Sequence, residues 1–92
     1  MYSITYSKKF RKDAKKIKSN PAFRIKEFDY LVNQLARGNA LNQKYDNHKL
    51  RGEFNDYFEC HLRPDILLIY EIDDINKIIC LDRLGSHLEL FG

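Results

Sequence analysis

Ile66-Leu67-Leu68-Ile69-Tyr70 is the longest nearly apolar run in the chain. Side chains alternate across a strand, so this run offers apolar groups to both faces and reads as a central strand covered on each side. It is far too short to cross a bilayer as a helix. The segments around it keep a period of two. Phe54, Phe58, Cys60 and Leu62 fall on one face of the preceding strand, with Tyr57, Glu59, His61 and Arg63 on the other. Pro64 interrupts, Asp73 to Asn76 supplies turn formers, and Lys77 to Leu84 reads as the third strand of an antiparallel meander.

The first half has a different period. Met1 to Tyr6 alternates as a half-buried strand, and Ser7 is placed to cap a helix running to about Lys18. Phe10, Ala14 and Ile17 make its narrow inward stripe, while Lys8, Lys9, Arg11, Lys12, Lys15, Lys16 and Lys18 take the other directions. Asn20-Pro21 marks a second helix start. Its inward stripe is Ile25, Phe28, Leu31, Val32 and Leu35, and Gly38 is its stop. Asn39 to Glu53 has no sustained period and reads as a long loop. The expected fold is α+β: one domain over residues 1–92, with an N-terminal strand, an α-hairpin and an antiparallel meander in a four-stranded sheet.

Charge is unevenly placed. Residues 1–51 hold 13 Lys and Arg against 4 Asp and Glu, and residues 52–92 hold 3 against 9. The basic half suits a polyanion such as nucleic acid, or is a solvated helix face. Lys8 makes the N-terminus basic without the apolar stretch of a signal peptide, so a cytoplasmic protein is expected. Cys60 and Cys80 are expected as reduced thiols, and no zinc-ligand spacing includes them. No metal or cofactor is expected.

Pairing the strands through their turns sets Ile72 opposite Lys77 and Ile66 opposite Arg83, with His61 opposite Ile66. His61, Asp65, Ile66 and Arg83 then gather at one end of the sheet, and His87, four residues past Arg83 and beyond Gly85, folds back over it. Histidine exchanges protons near neutrality, and arginine meets a phosphate with a fork of donors. Such a set suits RNA cleavage by the RNA's own 2′-hydroxyl. Each residue also has a plainer reading. Asp65 is then a turn cap, Arg83 a partner of Asp82 or Glu71, and Phe91 a core plug.

His48-Lys49-Leu50-Arg51-Gly52, Tyr57, Glu59-Cys60-His61, Pro64-Asp65, Leu67-Leu68-Ile69-Tyr70, Arg83-Leu84-Gly85-Ser86-His87 and Leu90-Phe91 recur in this order and spacing in one family. The chain resembles the YafQ branch of the RelE/ParE toxin superfamily. That resemblance implies a RelE-like fold and a bacterial type II toxin that cuts mRNA in the ribosomal A site. It also implies a cognate antitoxin as partner, and operator DNA bound only through the antitoxin complex. By analogy His48, His61, Asp65 and His87 share acid and base roles, Arg83 holds the scissile phosphate, and Phe91 helps place a base. Ile66, Lys49 and Arg51 would join the substrate surface, and the cations Lys8, Lys9, Arg11, Lys12, Lys15 and Lys16 would meet ribosomal RNA. Relatives often carry Trp where this chain has Ile66, and Trp-Lys-Gly-Tyr-Arg where it has Phe54-Asn55-Asp56-Tyr57-Phe58, which thins the expected RNA grip. The competing functions are a non-enzymatic ParE-like inhibitor of DNA gyrase and a degenerate member that only binds antitoxin.

Overall fold

Ser7 shows how the N-terminal half is built. Its hydroxyl accepts from the Phe10 amide at 2.9 Å and donates to the Asp82 carbonyl at 2.8 Å, so one side chain starts a helix and pins it to the sheet. In the computed structural model, which describes residues 1–50 and 57–92, the order is β1 (Ser3–Tyr6), α1 (Lys8–Ile17), α2 (Ile25–Ala36), a 3₁₀ turn (Gln43–Tyr45), β2 (His48–Lys49), β3 (Phe58–Arg63), β4 (Ile66–Asp73), β5 (Ile78–Gly85) and α3 (His87–Phe91). The expected start of β3 at Phe54, and the candidate Arg51, lie outside the described residues.

The sheet has five strands, ordered β1-β5-β4-β3-β2, rather than the four expected. The addition is β2, which pairs His48 with Glu59 and Lys49 with Phe58. Two residues cannot display an alternation, so the sequence reads there as loop. β1 joins β5 in parallel, which makes the sheet mixed. As expected from its doubly apolar pattern, β4 is central.

Two other expectations shift. Asn20 accepts from the Ala22 amide and makes a turn there, so α2 begins at Ile25 instead of Pro21, and Ile25 is 57% exposed rather than inward. The strand register also slips: Ile72 faces Ile79, Ile69 faces Arg83, and His61 faces Leu67. The β4–β5 turn is longer than the pairing assumed, because Asp73 accepts from both the Ile75 and Asn76 amides and Lys77 takes a φ of +56° before Ile78 pairs. Convergence survives the slip, since His61 and Gly85 both face Leu67.

Asp82 is an extra residue in β5, between the pairs Tyr70–Leu81 and Ile69–Arg83. Such a bulge breaks the alternation. Leu81 and Leu84 both reach the core, and the consecutive Asp82 and Arg83 share the opposite face. The core packs Cys60, Leu68, Tyr70 and Ile79 of the sheet against Phe10, Ile17, Leu31 and Leu35 of the helices, each at most 6% exposed. Burying side chains of this size stabilises the fold by about 1.5–3 kcal/mol each. On the other face Gly85 admits α3, because a Cβ there would come within 3.1 Å of the Glu89 carboxylate and 3.3 Å of Leu90. Among the described residues no helix is long and apolar enough to cross a membrane.

Candidate active site

Glu59 is the one buried charged residue among those described, at 4% exposure, and a buried carboxylate needs partners. Its partners are imidazoles: Oε1 lies 2.9 Å from His61 Nε2 and 3.5 Å from His48 Nε2. The cause is the sheet itself. Glu59 and His61 stand two apart on one face of β3, and β2 sets His48 directly opposite Glu59.

From there a row of rings runs across the sheet end. Centroids are 6.2 Å apart for His48 and His61, 6.3 Å for His61 and His87, and 5.7 Å for His87 and Phe91. His87 heads α3, where the Ser86 and Glu89 capping box starts the helix and the Asp65 carboxylate accepts from the His87 backbone amide at 3.2 Å. Asp65 thus enters the site as the group that seats His87. Glu89 is held down at about 2 by its hydrogen bonds with Ser86 and by Lys16, which lies 3.0 Å away.

Arg83 is anchored separately. Asp13 of α1 takes its Nε at 2.7 Å and Nη2 at 3.2 Å, and also accepts from the Leu84 amide, closing the β5 edge beyond the end of β1. This carboxylate, with burial opposing it, keeps the guanidinium pKa raised. A guanidinium carries five N–H donors, so the Asp13 pair leaves capacity for a phosphate. Arg83 does not touch the imidazoles; it shares with Phe91, Tyr57 and Asp82 a cavity of about 220 Å³ beside them. Lys9 lines that cavity, and the other cations of α1 are exposed.

Of the expected site residues, His48, His61, His87 and Phe91 form one row, Asp65 supports it, and Arg83 lies next to it. Lys49 is exposed beside His48 on β2. Ile66 is a correction: at 2% exposure it belongs to the core, where the register slip turns it toward the helices, and it offers no surface to a nucleotide. Phe58 likewise is spent on packing, stacked 5.5 Å from Tyr70. Glu59 and Asp13 were not singled out from the sequence. An acid two residues before His61 on its face, and a lone acid among the α1 cations, were the available signals.

Asp46, His48 and His61 bring ligand atoms within 4.8 Å of one another, a nitrogen and oxygen set of the kind zinc or copper accepts. A second cluster, Glu71, Cys80 and Asp82, lies on the same sheet face. There burial, then the hydrogen bond and charge of Glu71, push the Asp82 carboxyl up to about 7. A carboxyl raised in the folded state favours folding while protonated. That contribution is complete below the ordinary value of 3.8 and fades as pH rises through about 7. Denaturant midpoints should therefore fall between pH 4 and 8, and Asp82→Asn should remove roughly 1–2 kcal/mol of that fall, allowing for solvent screening. A pH-independent difference between the two proteins would contradict this.

Residues 2–92 match the family described as bacterial toxin of type II toxin-antitoxin system, YafQ. The chain belongs to the YafQ family. Among YafQ relatives, the mRNA interferase toxin YafQ of Escherichia coli K12 is 32% identical over 90 residues, covering 97% of this chain and 95% of that protein. A metal-bound toxin from Helicobacter pylori superposes with a TM-score of 0.91 at 45% identity, covering 99% and 100% of the two chains. The toxin of the E. coli DinJ-YafQ complex gives 0.88 at 31% identity, with both chains fully covered.

Proposed function

We propose that this YafQ-family chain is an mRNA interferase, acting as one domain in the cytoplasm on ribosome-bound mRNA and silenced by a cognate antitoxin. The observation that carries the reading is the row of three imidazoles backed by the buried Glu59. Protons must leave the attacking 2′-hydroxyl and reach the departing 5′-oxygen, and the row offers groups for both. The His61 and Glu59 pair takes the 2′-hydroxyl proton, and O2′ attacks phosphorus. The P–O5′ bond breaks to leave a 2′,3′-cyclic phosphate, while His87 delivers a proton to O5′. Arg83 offsets the charge that gathers on the phosphorane. A transition-metal ion, when bound, would be held by Asp46, His48 and His61 and would supply Lewis acidity; the proton steps above use side chains alone.

The antitoxin assignment is supported by the solved assembly of the E. coli relative with DinJ. Induction of the wild-type chain should arrest growth and produce cuts in translated mRNA mapped by primer extension, and co-expression of the antitoxin should relieve both. Arrest without cuts, accompanied by stoichiometric inhibition of purified gyrase, would instead support the gyrase reading.

The exposed α1 face should bind ribosomal RNA. Lys12→Glu with Lys15→Glu should weaken ribosome binding and flatten its salt dependence by about two phosphate contacts. Lys16 is left intact because it holds Glu89. Binding that ignores salt and both substitutions would reduce this face to a solvated one.

A further inference from the structure

We propose that the cavity beside Arg83 is a nucleobase pocket in which the Asp82 carboxyl accepts a hydrogen bond from the exocyclic amino group of the bound base. The inference rests on the RNase reading and adds a specificity-determining residue to it. The β5 bulge turns Asp82 and Arg83, adjacent in sequence, onto the same face, and both line this cavity. Bulges are enriched beside active sites because they re-aim side chains in this way. Beside Ser7 and Lys9, the other lining residues suit a flat ring: Tyr57 and Phe91 present aromatic surface, and Ile69 and Leu90 aliphatic surface.

Location fixes which part of the nucleic acid can enter. Phe91 touches the imidazole row at His87 and also lines the cavity, so a nucleotide whose phosphate meets Arg83 has its base within reach. A carboxyl repels phosphate and calls for a donor. Among the described residues, the donor recorded for the Asp82 carboxylate is the Cys80 thiol at 3.5 Å, a weak one. Glu71 stands beside it as a second carboxyl. An amino group of adenine, cytosine or guanine satisfies the site. The imide of uracil fits poorly, because two carbonyl oxygens flank its N–H.

The test compares oligoribonucleotides carrying adenine or unsubstituted purine, which lacks the amino group, at each position around the cut, free and on ribosomes. With the wild type, removal of the amine should slow cleavage about 10-fold at one position only, the effect of a lost base contact. Asp82→Ala should cut both RNAs at the slower rate, and Asp82→Asn, whose amide oxygen still accepts, should keep the difference. Equal cutting of the two RNAs by the wild type would overturn the inference. So would an Asp82→Ala protein that slows both RNAs by one factor, since that is mere support of Arg83. A wild type that cuts no RNA overturns the RNase reading and this inference together.

Discussion

Replacing His87 by alanine should slow RNA cleavage by about 10²- to 10⁴-fold, the usual cost of one proton-transfer group. The fold should not notice. The His87 side chain is exposed, and its anchor to Asp65 runs through the backbone amide, which alanine retains. The capping box of Ser86 and Glu89 also stays intact. Melting temperature and circular dichroism should therefore match the wild type while cleavage and growth arrest disappear together. An H87A protein that still cuts mRNA at the wild-type rate removes His87 from the chemistry.

Glu59→Gln should be nearly as damaging, with a loss of about 10²- to 10³-fold, comparable to removing a preorganised electrostatic partner in other enzymes. The substitution keeps shape and removes charge, so the two imidazoles lose the group that orients them. Because Glu59 is 4% exposed, it offers little surface to RNA, and the loss should fall on kcat with KM nearly unchanged. Residues that act as a unit are not additive: E59Q combined with H61A should be no slower than H61A alone. Independent, multiplying losses would show that Glu59 has a role of its own, or none in the proton path.

The central strand, α1, the body of α2, the meander and the gathering of His61, Asp65 and His87 at one sheet end were legible in the sequence, because each leaves a period or a turn signal; the short α3 was not. What was not legible arises from pairing between distant segments. β2 is two residues long and exists because β3 offers it an edge. Asp13 carries no local mark that it will clamp Arg83, 70 positions away. The bulge at Asp82 is set by pairing with β4: Leu81 and Leu84, three apart, would fall on opposite faces of a regular strand, and the extra residue between them brings both into the core. The resemblance sets Ile66 where relatives often carry Trp, but with His61 opposite Leu67 the Ile66 side chain takes the other face of β4 and packs in the core.

The parallel pairing of β1 with β5 has a consequence for how the molecule comes into being. The Ser7 to Asp82 hydrogen bond that fastens the start of α1 to the sheet spans 75 positions, so the first strand emerges from the ribosome long before its partner. At bacterial synthesis speeds that wait is roughly 4–15 s. Throughout it the basic helices have no sheet to pack on, and His48 and His61 have no His87. The row of imidazoles is therefore complete only once the last helix has been made.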